Sequence, residues 1–326
     1  LWGGFMAEPP GDRILVTGAL GQIGTELVSS LRNKHGNDAV LATDIREPNK
    51  DTYFPEGPFR NLSVLDGEAM ERIVLEEEIG TVYHLAAILS ASGEKNPELC
   101  HRVNVEGTET VLEAARHFGL KVFLPSSIAV FGPDSPKIAP QDINLNPTTT
   151  YGKTKVIGEI LGLNYFEQYG VDVRGLRFPG LISWKAPAGG GTTDYAVDIF
   201  HAAINHGHYD CFVNEDTRLP MMYIDDAIRA TGMLMEAESS GLGRSRVGYN
   251  IRGVSFTARD LVDMISKRIP EFTCDFNPDF RQKVADSWPN DVNDNSARED
   301  WGWKAELDLE RIVDEMLVNL RKIQSS

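Results

Sequence analysis

Cysteine is scarce in this chain: three residues, Cys100, Cys211 and Cys274, odd in number and far apart in a sequence of 326. That count argues against a disulfide framework and for a reducing, intracellular compartment. Basic residues are also in short supply, 32 against 48 acidic ones, and the net charge of -16 disfavours nucleic acid and anionic membrane surfaces as partners. An anionic cofactor remains acceptable, because backbone amides bind phosphate locally. No apolar run reaches membrane-spanning length, and there is no internal repeat or low-complexity tract. Residues 1–11 lack both the Arg-rich amphipathic pattern of an organelle-targeting segment and the apolar centre of a secretory signal. They read as a tail or cloning remnant, with Met6 a candidate native start, and a cleaved targeting segment would leave no trace. Metal-motif spacing is missing too: His206-Gly207-His208, with Asp210 and Cys211, reads as a solvated loop, and no metal is expected.

What the chain does have is alternation. Residues 13–17, 39–43, 81–85 and 121–125 read as short apolar strands, with helices over 22–35 and through 98–118. Strands alternating with helices imply parallel pairing through helical crossovers, hence a doubly wound α/β sheet. Beyond Arg177 the pattern loosens into Pro- and Gly-rich loops, the clearest at 187–193, while 260–269 and 307–322 read as helices of a smaller subdomain. The expected division is a dinucleotide-binding domain over 12–180, completed by part of 211–255, and a substrate-binding subdomain built from 181–210 and 256–326.

Directly after the first strand stands Gly18-Ala19-Leu20-Gly21-Gln22-Ile23-Gly24, opening a helix. Glycines permit a tight turn and close approach of backbone to a pyrophosphate, and the helix N-terminus offers unpaired amides and positive potential. Strand before and helix after raise this above a merely glycine-rich turn. Asp44 closes the second strand, twenty residues past Gly24, where a carboxylate takes both ribose hydroxyls of NAD and repels a 2′-phosphate. The neighbouring Arg46 argues the other way, since an arginine can pair with that phosphate, but the position of Asp44 favours NAD. Further along, His84-Leu85-Ala86-Ala87 ends a strand with small residues against which a cofactor can lie; His84 itself reads as packed or hydrogen-bonded.

Tyr151 and Lys155 project from one face of one helical turn, which lets an ammonium lower a phenol's pKa. A Tyr-x-x-x-Lys pair alone says little, since roughly half of one arises by chance in a chain this long. Its weight comes from Ser126 and Ser127 at the mouth of the same groove. An alcohol releases its hydride readily only as its hydroxyl proton leaves, so a base within hydrogen-bond reach is required. Free tyrosine, with a pKa of about 10, is too weakly acidic to ionise at neutral pH unaided.

The assembled set (residues 18–24, Asp44, residues 84–87, Asn104 with Gly107, Ser127, Tyr151 and Lys155) resembles the extended short-chain dehydrogenase/reductase family over most of the chain. The resemblance implies a Rossmann-type sheet with bound NAD, and a catalytic Ser, Tyr and Lys at Ser127, Tyr151 and Lys155. It implies cofactor contacts at Gly18, Leu20, Gly21, Gln22, Ile23, Gly24, Asp44, Ile45 and Arg46, then at Ser63, Val64, Leu85, Ala86, Ala87, Asn104, Ser126 and Leu181, with Tyr151 and Lys155 also at the nicotinamide end. Ser63 departs from the pattern, since many relatives carry an aspartate near the adenine.

Within that family, residues 177–183, 188–195, 217–223 and 125–133 are similar to the branch that oxidises L-threonine at C3 to 2-amino-3-oxobutyrate. Nucleotide-sugar epimerases and dehydratases usually carry an Asn shortly after the arginine where this chain has Gly180. Three glycines before Thr192 and Thr193 suit a small zwitterion better than a diphosphate sugar, offering amides and hydroxyls. Substrate contacts are expected at Ser90, Ser127, Tyr151, Gly190, Thr192 and Thr193. Arg218 is a candidate cation for the substrate carboxylate, or else an ion-pair partner of Asp225 or Asp226. The resemblance further implies a homodimer packed through 98–118 and 151–169, hand-off of the labile β-keto acid to a glycine-forming CoA-dependent lyase, and a mitochondrial location in a eukaryote or a cytoplasmic one otherwise. Two alternatives stay open: a nucleotide-sugar epimerase or dehydratase, which would retain NAD and form no net NADH, and a non-catalytic dinucleotide sensor, which would need neither Tyr151 nor Lys155.

Overall fold

A computed structural model describes residues 8–48, 54–185 and 189–324. Most of the expected tail and the first part of the 187–193 loop thus lie outside the described residues. The first half of the chain lays down β1 (Arg13–Thr17), β2 (Val40–Asp44), β3 (Phe59–Asn61), β4 (Ile79–His84) and β5 (Lys121–Phe123). After two short strands, β6 (Ser126–Ser127) and β7 (Ile138–Ala139), β8 (Val173–Arg174) completes a sheet of order β3-β2-β1-β4-β5-β8. Every pairing in it is parallel.

The strands are buried on both faces, and their period of two sorts the core into two layers. Val16, Ala42, Tyr83 and Phe123 face Leu27, Val28 and Leu31 of α1 (Gln22–His35). Leu15, Leu41, Val82 and Val122 pack with α2 (Gly67–Glu76) and a later helix through Met70, Val74, Leu112 and Ala115. Helices on both faces of a parallel sheet make the doubly wound architecture that the alternation implies.

The helical region at 98–118 is not one helix. After α3 (Ser90–Lys95), α4 (Pro97–His101) passes through a π-helical turn, Arg102–Glu106, before α5 (Gly107–Phe118). The wider turn rotates Asn104 inward, a departure no residue periodicity foretells. The next helix, α6 (Thr150–Tyr169), starts where the Thr149 hydroxyl accepts from Gly152 N and stops at Gly170 in the left-handed region.

Beyond Arg177 the chain is more ordered than its loop-like composition suggests. Here lie β9 (Leu176–Phe178), β10 (Gly180–Ile182), α7 (Tyr195–Asn205), β11 (His208–Cys211), β12 (Arg218–Tyr223) and α8 (Ile224–Glu236). Then come β13 (Tyr249–Asn250), β14 (Val254–Thr257), α9 (Ala258–Ser266), β15 (Thr273–Phe276), α10 (Phe280–Ala285), β16 (Asp291–Val292), α11 (Asn295–Trp301) and α12 (Leu309–Gln324). Strands of two to six residues bounded by Pro and Gly are too short to print a period. The reading of 206–211 as loop is therefore corrected: β11 pairs in parallel with β15. That pairing gathers the exposed His208, Asp210 and Asp275, none of which lines the cleft described below. Among the described residues no helix is long and apolar enough to cross a membrane.

Candidate active site

The loop after β1 turns at Gly18, whose φ of 65° lies in the left-handed region. A Cβ there would stand 2.6 Å from Ala86 N, so β1 and the end of β4 approach more closely than any side chain permits. Gly21 caps α1 without a side-chain bond, and no acidic residue occupies the first turn. The first amides of α1 thus have no capping side-chain oxygen and no acidic residue in their own turn, a donor set that suits a pyrophosphate. Asp44, buried at the end of β2, accepts from Leu20 N at 3.1 Å, and from Arg46 N and Nε at 3.1 and 3.2 Å. Ile45 beside it is exposed. Ser63 accepts from Leu65 N, and Val64 packs beneath Gly107. Arg46 is therefore engaged with the carboxylate whose role it would otherwise oppose.

A cleft open to solvent runs from this loop across the carboxyl ends of the strands. Gln22, Ile23, Leu85, Ala87 and Ser90 form one side. Ser126 and Ser127 of β6, with Tyr151 and Lys155 of α6, form its floor, and Leu181, Thr192 and Thr193 face them. Ligand sites beyond strand C-termini are the rule for such sheets.

Lys155 Nζ stands 5.6 Å from the centre of the Tyr151 ring and donates to Pro125 O at 2.9 Å. Burial pushes the phenol well above its usual pKa, opposed by the Ser127 hydroxyl and reinforced by the Cys100 thiol. Burial likewise brings Lys155 down to about 8, with Cys100 and Glu159 pulling back. In the protein alone burial is the leading influence on the phenol, ahead of the opposing Ser127 hydroxyl. His84 is buried, its Nδ1 2.9 Å from the Thr17 hydroxyl, and burial followed by the Lys155 charge brings it down to about 3. It is neutral at physiological pH.

Several expected contacts turn elsewhere. Asn104 spans the loop after β4 to α6, accepting from Ile88 N at 2.8 Å and donating to Ile88 O and Thr154 Oγ1, both at 3.0 Å. It does not line the cleft. The Ser126 hydroxyl donates away from it, to Glu159, which also holds Arg177 at 2.8 and 2.9 Å. Opposite, Ser90 Oγ accepts from Thr192 N at 3.0 Å and lies 3.1 Å from Thr192 Oγ1, while Ala91 N donates to Gly190 O. The amides of Gly190 and Gly191, expected to be free for a ligand, both donate to the Asp194 carboxylate. Burial raises the pKa of that carboxyl in spite of them. Arg218 pairs with Asp260 at 3.2 Å and with neither Asp225 nor Asp226, so it supplies no cation to the cleft.

The structure adds contacts and residues that the sequence did not show. The Gln22 side chain reaches Leu181 O and Ser183 Oγ, clasping β10 to the nucleotide loop. Trp288, more than a hundred residues past α6, closes one wall, and no local pattern could have found it. Glu159 had a signal: it follows Lys155 by four on the same helix.

Architecture and cleft together define a Rossmann-type dinucleotide-binding protein of the doubly wound class. The chain belongs to the NAD dependent epimerase/dehydratase family, whose sequence profile matches residues 14–251. It is 45% identical to the mitochondrial L-threonine 3-dehydrogenase of Bos taurus over 95% of this chain and 83% of that protein. Among solved structures it resembles a monomeric L-threonine 3-dehydrogenase from a metagenome in its apo form, at 53% identity and TM-score 0.92, covering 95% of this chain and 99% of that one. An L-threonine dehydrogenase from Phytophthora infestans matches with 47% identity and TM-score 0.92 over 96% of this chain and all of that one.

Proposed function

We propose that this chain oxidises L-threonine at C3 to 2-amino-3-oxobutyrate, with NAD as cofactor. The observation that carries the reading is Ser127, Tyr151 and Lys155 on the floor of one cleft, between a glycine loop suited to a pyrophosphate and a small hydroxyl-bearing wall. Identity of 45–53% to proteins named for that activity supports it.

The residues present fit the cofactor. The turn of residues 18–24 and the first amides of α1 receive the pyrophosphate, Asp44 the adenosine ribose with Ile45 and Arg46 beside it, and Ser63 and Val64 border the adenine. Leu85, Ala86, Ala87 and Leu181 wall the nicotinamide end, Lys155 anchors its ribose, and Asn104 and Ser126 act from behind. When bound, NAD supplies the acceptor for the hydride that leaves C3 and a positive charge beside the phenol. Tyr151 Oη, as phenolate, takes the proton of the C3 hydroxyl, and Lys155 as ammonium stabilises that phenolate. Ser127 donates to the oxygen that becomes the ketone. Ser90, Gly190, Thr192 and Thr193 enclose the amino-acid end, where Tyr151 and Ser127 fix the hydroxyl. Domain roles follow: 12–180 with part of 211–255 holds NAD, and 181–210 with 256–326 encloses substrate.

The product is a labile β-keto acid, so a CoA-dependent, glycine-forming lyase is the natural consumer. A homodimer through 98–118 and 151–169 belongs to the same reading, and light scattering after gel filtration distinguishes it from a monomer, the state of the metagenome relative. Three cysteines without disulfide partners suit a reducing compartment, mitochondrial or cytoplasmic according to source.

The test uses purified protein with NAD and separate additions of L-threonine and a UDP-hexose. Threonine-dependent absorbance of NADH supports the proposal. Conversion of the UDP-hexose without net NADH would assign the chain to epimerase chemistry instead, and NAD binding without turnover of any alcohol would make it a sensor.

A further inference from the structure

Behind the cleft floor lies a buried ion pair that the reaction as derived does not use. Glu159, one helical turn past Lys155 on α6, accepts from Ser126 Oγ and is gripped by Arg177 through Nε at 2.9 Å and a terminal nitrogen at 2.8 Å. The Arg177 fork also donates to Gln141 O at 3.0 Å and Asn250 Oδ1 at 3.2 Å, and the guanidinium lies over the Phe131 ring. Both charged side chains are more than nine-tenths buried. Gly248 packs so close to the carboxylate that a Cβ there would stand 2.6 Å from it.

A buried pair of this kind is weak evidence for stability, because desolvation offsets much of the attraction. Its position is more telling. It joins α6, which carries Tyr151 and Lys155, to β6, which carries Ser127, and to β9, which leads into the cleft wall at Phe178. One small cavity is lined by Pro125, Ser126, Lys155 and Glu159 together, and the Glu159 charge acts on the Lys155 ammonium.

We propose that Glu159 is a positioning residue for the reaction: it anchors Ser126, and through it the strand that presents Ser127, while giving the Lys155 ammonium its carboxylate counter-charge. This rests on the proposed roles of Ser127, Tyr151 and Lys155. The other groups facing Lys155 are the Cys100 thiol from α4, the neutral His84 imidazole from β4 and the Tyr151 phenol on its own helix. Arg177 from β9 faces Glu159 itself. Loss of the Glu159 charge makes the ammonium easier to deprotonate, so the alkaline limb of the rate profile moves to lower pH.

The test compares Glu159→Gln, Glu159→Asp and Ser126→Ala with Tyr151→Phe in the full chain, by threonine and NAD kinetics across pH and by calorimetric titration of NAD. Ser126→Ala leaves the ion pair whole; it is expected to lower kcat on the order of tenfold or more, with NAD affinity retained. Glu159→Gln is expected to bring the alkaline limb down by about one pH unit, in turnover and in NAD affinity alike, whereas Glu159→Asp keeps it in place. An unchanged limb in Glu159→Gln, or wild-type kcat in Ser126→Ala, overturns the inference. If Glu159→Gln leaves Arg177 too poorly compensated to fold, Ser126→Ala alone decides. Full turnover by Tyr151→Phe would defeat the underlying assignment of the base, a result separate from either of these.

Discussion

Lys155 reaches past the phenol of Tyr151, standing 5.6 Å from its ring centre and giving its hydrogen bond to the Pro125 carbonyl. The amine is therefore a neighbouring charge for the phenol, with no direct bond between them. With burial driving the phenol upward, ionisation of Tyr151 depends on all the positive charge assembled in the loaded site. Lys155, already brought down to about 8, is itself sensitive to what lies behind it.

Replacing Gly18 by Ala tests the nucleotide loop. The new Cβ would meet Ala86 N at 2.6 Å at a backbone angle disfavoured for L-residues. A loss of about 1–3 kcal/mol is expected. Denaturant titration should register it, accompanied by weaker NAD binding in calorimetry; unchanged NAD affinity would place the dinucleotide elsewhere.

Asp44→Ser removes the carboxylate that holds Arg46 at 3.2 Å. With the acid gone and the guanidinium released toward the ribose, the ratio of NADP to NAD utilisation is expected to rise at least about tenfold. Selectivity that does not move would mean Asp44 does not face the adenosine ribose.

Much of this was legible in the sequence, for physical reasons. Residues 13–24 are a continuous apolar strand followed by glycines at fixed spacing, and both signals are local. The same holds for Tyr151 and Lys155, whose relation is set by helical geometry alone. Asn104 was legible as a residue but not as a contact, because the π turn that swings it inward leaves no periodic mark. The three-glycine loop reads as a source of free amides, yet Asp194, three or four residues on, takes those of Gly190 and Gly191. Side-chain partners fixed by tertiary folding, such as Ser126 with Glu159 or Arg218 with Asp260, have no counterpart in spacing.

His84 gives stability a pH dependence of known sign. Its folded pKa, about 3, lies below the ordinary value of 6.5, so between these limits the unfolded chain binds the proton that the native state refuses. Stability is full above pH ~6.5 and falls as pH drops toward ~3, by up to about 1.4 kcal/mol per pH unit from this residue. Denaturant titrations between pH 7 and 4 should show a shallower decline in His84→Gln than in the parent chain; parallel curves would contradict the assignment.

Ser90→Ala breaks the latch between the turn after β4 and the loop before α7. It leaves the buried Thr192 amide, now bonded at 3.0 Å, without its acceptor. A cost of about 1–3 kcal/mol is expected. The KM for threonine should rise while NAD affinity holds; an equal loss of both would show that the wall serves the cofactor as much as the substrate.

The most direct measurement uses L-threonine carrying deuterium at C3, mixed with NAD and either the parent chain or Tyr151→Phe. The parent chain is expected to deliver the label to reduced NAD with a primary isotope effect, and Tyr151→Phe to lose ~10²–10⁴-fold in rate while still binding NAD. Reduced NAD formed without label, or labelled at the parental rate by Tyr151→Phe, would contradict the account.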